Sequence, residues 1–277
     1  MKVKTAVIFA SGYGTRMLPI TAAVQKELLP ILNRPVIDYV VADCLRAGVE
    51  RIIFTIREGS HSLQDYYSGN PALEAELKSR GKSEALQSLK LIHSQAKFEY
   101  IEQPSTGKYG TAVPLQVAAK LLEPDTAFIT CGGDDFLYRT DGGSDLADLV
   151  NAFEASSADG AILTIERPTE ELSKYGVLDI DSNTKPARLK RIVEKPELGS
   201  EPSNLINLSK YVLTTKLLDY VLKVKANERT GEYYITDAVE EAASDHKIIV
   251  TRAKGEYLDA GSMQSWYRAN QRVGEHA

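Results

Sequence analysis

Near the start of the chain, the largely apolar run VKTAVIF (3–9) stops at the turn ASGYGTR. A strand with one face in water alternates apolar and polar residues. A run like this one is buried on both faces, as a central strand of a parallel sheet is. Parallel neighbours need a crossover of a dozen residues or more, usually a helix. The feature therefore constrains the chain to alternating strands and helices.

The rest of the sequence meets that demand. After Pro35, Val36, Val40 and Cys44 recur every four residues with Ile37, Val41 and Leu45 beside them, and Gly48 closes the helix. RIIFTI (51–56), FEYIE (98–102), TAFITC (126–131) and GAILTI (160–165) read as strands, with helices predicted over 110–122 and 144–155. Residues 61–90 are mostly polar, with leucines at Leu73, Leu77, Leu86 and Leu89, and read as a helical hairpin outside the sheet. Beyond residue 165 the pattern loosens. GVLDID, LKRIVEK, KYVLTT and KIIV are short strands, and helices are predicted over 215–225, 233–244 and 262–272. The expected architecture is a parallel, doubly wound first half and a mixed second half sharing one sheet.

The length of 277 residues suits one large α/β domain or two modest ones. A net charge of −5 supplies no global basic field for nucleic acid or a membrane surface, so an anionic ligand must be held by a few placed cations. The two cysteines, Cys44 and Cys131, form no CxxC pair and the four histidines are scattered, which excludes a thiolate zinc site and suggests a reducing compartment. The N-terminal apolar run is too short for a signal-peptide core or a membrane span. A cytoplasmic protein is expected.

The glycine turn invites a phosphate, but not in the dinucleotide-binding manner. That fingerprint wants a third glycine where Met17 stands, and an acidic residue ending a second strand about 20 residues on. GxxxxGK[ST] is absent too. Instead Arg16 follows the turn at once and Lys26 comes ten residues later, with Pro19 and Pro30 stiffening the loop. Backbone N–H groups of the turn can face phosphate oxygens, Arg16 can grip two of them, and Lys26 adds a point charge. Taken alone, both cations could equally be solvated surface charges. CGGDDFL places Asp134 and Asp135 after an apolar strand, at the edge where open α/β sheets bind ligands, though Gly-Asp-Asp is also an ordinary turn.

The run G-x-G-T-R-x-L-P, followed by K-E-L-L-P-I and R-P-V-I-D-Y-V, resembles the signature of sugar-nucleotide pyrophosphorylases. Within them it is most similar to bacterial UTP–glucose-1-phosphate uridylyltransferases. ALEAELKSRGKSEAL resembles their helical insertion, and YGVLDID, RIVEKP, PSNLINLSKYVL, GEYYITDAV and YLDAGSMQSWYRAN follow in the family's order. The resemblance implies an α/β fold with a Rossmann-like, doubly wound mixed sheet of the nucleotide-diphospho-sugar transferase type. It implies a single domain over 1–277, with a nucleotide-binding half over about 1–135, a sugar-phosphate-binding half over about 136–260 and a C-terminal helix over 262–277.

It also implies the chemistry. A glucose 1-phosphate oxygen attacks the α-phosphorus of UTP, and pyrophosphate leaves. The nucleophile is already ionised, so positioning and charge stabilisation should do most of the work. By resemblance, Arg16 and Lys26 take the triphosphate and departing pyrophosphate. Ala10, Ser11, Gly12, Gly14, Gln103, Gly107 and Gly110 surround the nucleotide. Asp134 and Asp259 hold Mg2+. Gly176, Glu194, Lys195 and Glu232 receive the sugar phosphate, Lys195 acting on the phosphate itself. Relatives commonly self-associate, so a homo-oligomer, dimer or tetramer, is expected.

The chain departs from the pattern around the base and sugar. Glu102 stands where uridylyltransferases usually carry arginine, and Gly110-Thr111-Ala112 replaces Gly-His-Ala. Gln103-Pro104-Ser105 is shared with thymidylyltransferases, while Phe9, Ser11, Gln25 and Ser209 replace a proline, an alanine, a proline and a glycine. Three readings follow: a uridylyltransferase, the same chemistry on dTTP or another nucleotide–sugar pair, and a non-catalytic nucleotide-sugar sensor.

Overall fold

The structure is a computed structural model and describes residues 1–82, 84 and 95–276. The strands in chain order are β1 (Val3–Ala10), β2 (Pro30–Ile31), β3 (Arg34–Pro35), β4 (Arg51–Arg57), β5 (Lys97–Gln103), β6 (Ala127–Gly132) and β7 (Asp135–Tyr138). They continue as β8 (Gly160–Glu166), β9 (Gly176–Asp181), β10 (Arg188–Glu194), β11 (Leu205–Thr214), β12 (Ile248–Arg252) and β13 (Glu256–Asp259). Nine of them make one sheet in the order β5-β4-β1-β6-β11-β8-β12-β10-β9. β5, β4, β1 and β6 run parallel, and β11 enters antiparallel between β6 and β8.

The two-sided burial read from the first strand is seen directly. Ala6, Ile8 and Ala10 of β1 pack into one core while Val7 packs into the other. The helices Val36–Arg46, Asp145–Glu154 and Met263–Gly274 contribute to the first core. The helices Val113–Ala118, Leu218–Lys223 and Ile235–Asp245 contribute to the second.

Some elements differ from expectation. The helix predicted over 110–122 begins only at Val113, because Gly110 takes φ +122° and the Ala112 N–H is spent on the Tyr233 carbonyl at 2.9 Å. All but the last residue of KYVLTT belong to a ten-residue strand, β11, in the interior of the sheet. That strand is broken by a bulge between Asn207 and Tyr211, where Ser209 adopts φ +52° and its N–H donates to Asn207 Oδ1 at 2.8 Å. A left-handed residue explains why glycine suits the Ser209 position. The polar region opens with two helices, Ser62–Ser68 and Pro71–Ser79, the second capped by the Asn70 side chain. The remainder of the predicted hairpin, with Leu86 and Leu89, lies outside the described residues. Tyr66 and Tyr67 tie this region to the fold by donating to the buried Asp38 carboxylate at 2.7 and 2.9 Å.

A separate two-stranded antiparallel ladder, β7 with β13, begins at the end of β6. Its register sets Asp259 opposite Asp135. Segments more than 100 residues apart in sequence thus meet at the edge where open α/β sheets commonly bind ligands.

Candidate active site

Because β1, β4, β5 and β6 are parallel, Ala10, Arg57, Gln103 and Gly132 all end at one edge. The glycine turn follows β1 there. Gly14 has φ +64°, and its carbonyl accepts from the Met17 N–H and the Thr21 hydroxyl, each at 2.8 Å. A side chain on Gly14 would meet Thr21 Cγ2 at 2.9 Å, so the turn needs glycine both for its conformation and for its space. Met17, standing where a dinucleotide turn has its third glycine, is 1% exposed and anchors the loop. Arg16 rides on the single 3-10 turn Thr15–Met17 and is exposed. Lys26 lies across the bare face of Gly12, whose Cβ would come within 3.2 Å of Lys26 Cε.

The acidic half of the site comes from the β7–β13 ladder, extended by the Ala260 N–H donating to the Asp134 carbonyl at 2.9 Å. One point locates the carboxylates. An ideal Cβ on Gly261 would sit 2.9 Å from Arg16 Nη2, 2.9 Å from Asp259 Oδ1 and 3.3 Å from Asp134 Oδ2. The two oxygens are therefore no further apart than the sum of their distances to that point. Glycine leaves this space open. Lys26 Nζ sits 2.5 Å from Asp134 Oδ2, and Asp259 Oδ1 accepts from the Gly261 N–H at 2.6 Å. Burial opposes both charges of the Lys26–Asp134 pair. Their mutual attraction wins, holding the ammonium above and the carboxylate below their usual ranges.

The residues fit a hard divalent cation that shares its ligands with a phosphate. Among the described residues no three His, Cys, Asp or Glu side chains cluster as a complete cage. Mg2+ characteristically takes one or two carboxylates and completes its shell with phosphate oxygens and water. Asp134 and Asp259 are such a pair.

On the base side, the Ser11 hydroxyl donates to Gln103 Oε1 at 2.7 Å, which leaves the Gln103 amide N–H groups turned away from that bond. Gly110 is required by close packing: its Cβ would clash with Tyr233 backbone N and O at 2.5 Å. Thr111, at the position of the family's histidine, accepts the Ile235 N–H at 3.0 Å at the head of the helix Ile235–Asp245. Gly107 has φ +99° with nothing within 4 Å of its Cβ position.

A second group forms around β9 and β10. Gly176 pairs with Glu194, and a Cβ on Gly176 would lie 3.0 Å from Glu194 Oε2. The same oxygen accepts from Thr236 Oγ1 at 3.2 Å, and burial pushes the Glu194 carboxyl up. Lys195, at φ +47°, has Nζ 3.8 Å from Glu194 Oε1 and 5.4 Å from the centre of the Tyr234 ring. Glu232 anchors its loop through its backbone carbonyl, which accepts from Asn227, and the structure brings its carboxylate to no ion pair among the described residues. Tyr175 links the two groups. Its carbonyl accepts the Lys195 N–H at 3.0 Å, and its phenol is pushed up by burial with a contribution from the Asp259 charge.

Three residues at the centre escape the sequence reading. Lys210 is 2% exposed and pairs with Asp135 Oδ1, while Tyr257 OH donates to Asp135 Oδ2 at 3.1 Å. This network fixes the residue next to Asp134. A lone lysine within the apolar strand NLSKYVL was the available signal. Glu27 is 0% exposed beneath the turn that carries Asp134, and nothing in a loop glutamate advertises such burial.

A glycine turn bearing two cations, faced across an open edge by two aspartates, defines a protein that binds and transfers phosphoryl-linked groups with the help of charge. The chain belongs to the nucleotidyl transferase family, whose model matches residues 5–276. It is 33% identical over 263 residues to UTP–glucose-1-phosphate uridylyltransferase 1 of Staphylococcus saprophyticus, covering 94% of this chain and 89% of that protein. Its fold superposes on a crystal structure of apo UDP-glucose pyrophosphorylase with a TM-score of 0.91 and 29% identity, covering 99% of this chain and 98% of the other. A UDP-glucose pyrophosphorylase structure complexed with UDP-glucose matches at TM-score 0.88 and 28% identity, covering 99% of this chain and all 100% of the other.

Proposed function

We propose that the protein transfers a uridylyl group from UTP to glucose 1-phosphate, giving UDP-glucose and pyrophosphate. The observation that carries this reading is the convergence of Arg16, Asp134 and Asp259 on one point beside Gly261, with Lys26 on Asp134. Joining two anions is the difficulty in this reaction. Like charges about 4 Å apart repel by roughly 1 kcal/mol in water and by several times that at a protein's lower effective dielectric. The site answers with placed cations rather than with a base.

In this reading the glycine turn and Arg16 seat the triphosphate, and Lys26 stabilises charge as pyrophosphate departs. Gln103 reads the base from its Ser11-fixed amide, with Gly107 and Gly110 lining the approach. Lys195 holds the sugar phosphate, while Glu194, Glu232 and the backbone at Gly176 receive the sugar. The nucleotide-binding half is thus residues 1–135, and the sugar-phosphate half is residues 136–260. Asp134 and Asp259 would hold Mg2+, which when bound neutralises phosphate charge and orients the phosphate oxygens. The buried free thiols Cys44 and Cys131 support a reducing, cytoplasmic setting. No helix among the described residues is long and apolar enough to cross a membrane. Exposed Met263 and Tyr267 on the last helix support self-association as a homo-oligomer.

The test is pyrophosphate release with Mg2+, each nucleoside triphosphate in turn and a panel of sugar 1-phosphates. UTP with glucose 1-phosphate should be the best pair. Release with dTTP but not UTP would correct the base assignment, and no release with any pair would favour a nucleotide-sugar sensor.

A further inference from the structure

Glu27 has no place in the machinery described so far, yet it lies at its centre. It is 0% exposed, and neither carboxylate oxygen makes a well-formed hydrogen bond, its polar neighbours being its own backbone and the Gln25 side chain. A buried carboxylate so poorly hydrogen-bonded is costly; leucine would fill the space without that cost, and glutamine would at least spare the charge. Its nearest cation is Lys26, whose Nζ stands 3.6 Å from Glu27 Oε1 and 2.5 Å from Asp134 Oδ2. The ammonium thus lies between two carboxylates and is bonded to one of them. Glu27 itself has little freedom. Its Cγ lies 3.1 Å from where a Gly133 Cβ would be, so its stem is pinned under the turn that carries Asp134.

The arrangement matters once a metal arrives. A divalent cation and an ammonium cannot share Asp134 Oδ2 without strong repulsion, so Lys26 must move off before that oxygen can become a ligand. A shift of about 1 Å toward Glu27 brings the ammonium to ordinary charge-assisted hydrogen-bond distance of its oxygen. We propose that Glu27 is a positioning residue: its buried carboxylate is a second seat for the Lys26 ammonium, and so releases Asp134 to a divalent cation. This rests on the assignment of Asp134 as a metal ligand made above. Burial pushes the Glu27 carboxyl up and the Asp134 charge adds to this, while Lys26 and, more weakly, its own backbone and Gln25 pull it down.

The test is Mn2+ binding followed by electron paramagnetic resonance on the full chain, without turnover, alongside binding of UTP in chelator. Glu27→Gln keeps the shape and removes the charge. It should weaken Mn2+ about fivefold or more while metal-free UTP binding stays within about twofold, a coupling of the size seen between groups in one charge network. Mn2+ affinity within twofold of the unmodified protein would overturn the proposal, as would equal weakening of Mn2+ and UTP, which would indicate a general distortion. Should Glu27→Gln fail to fold, Lys26→Gln and the Lys26→Gln/Glu27→Gln double variant decide the matter, because the pair is then removed as a unit. With the ammonium gone the two should bind Mn2+ alike, and a further loss in the double variant would mean that Glu27 acts on the metal itself. If Asp134→Asn binds Mn2+ as tightly as the unmodified protein, the metal assignment falls instead, a result distinct from any failure at Glu27.

Discussion

Two lysine–aspartate pairs stand back to back at the Gly133–Asp134 turn. Lys26 and Asp134 keep 15% and 18% of their side chains exposed, whereas Lys210 and Asp135 keep 2% and 13%. Asp134 faces the open edge with Arg16 and Asp259 around it. Asp135, one residue on, starts β7 and faces the core, with Tyr257 completing its shell. Burial opposes the Lys210 charge, but the carboxylate of Asp135 and the nearby acidic groups outweigh it and hold the ammonium protonated. Chemically equivalent pairs are thus set to different uses by one residue of chain direction. In the proposed reading, the partly exposed pair exchanges partners with a metal or a phosphate. The buried one cannot, because an unpaired charge there has no solvent to turn to.

The sharpest way to break this contrast is to remove each aspartate's function separately. Asp134→Ala should lower turnover by about a thousandfold or more, the scale of several kcal/mol of charge stabilisation, with little change in melting temperature. A near-normal rate would remove Asp134 from the chemistry. Lys210→Met should do the reverse and cost about 3–5 kcal/mol of stability by stranding Asp135. Calorimetry would register this as a fall in melting temperature of about 10 °C, and adding Asp135→Asn should recover part of it. An unchanged melting temperature would contradict the structural role. The smallest effect is expected at the sheet margin, where Arg51 on β4 bonds Glu99 on β5 at 2.7 Å and, with Lys97, holds its carboxyl down at about 2. Because the folded value is depressed, the stabilisation is complete above about pH 4.5 and is lost as pH falls toward 2. Glu99→Gln should therefore cost about 0.5–1 kcal/mol at pH 7, with the difference fading as pH falls through about 2. A pH-independent difference would mean that the pair contributes through packing alone.

How much of this was legible in the sequence follows from the range of the interactions. Two-sided burial leaves a continuous apolar run, so β1, β4 and β6 could be read from the residues alone. The β7–β13 ladder could not: four residues carry too little period to register, and their partner lies more than 100 residues away. The Ser209 bulge was visible only as a missing glycine. Around the site, Arg16, Lys26, Asp134 and Asp259 stood out through the family resemblance of the short motifs that carry them; taken alone, each reads as a surface charge or a turn residue. Glu27 and Lys210 did not, because a buried charge is defined by what surrounds it. The Ser11–Gln103 bond needs the registers of three parallel strands at once, which no stretch of sequence contains.

The most direct measurement of the central claim is anomalous diffraction from a crystal of the protein grown with Mn2+ and UTP. The account predicts one manganese peak bonded to both the Asp134 and Asp259 carboxylates, with Lys26 Nζ displaced from Asp134. A manganese ion on the triphosphate that touches neither aspartate, with the Lys26–Asp134 pair intact, would contradict it.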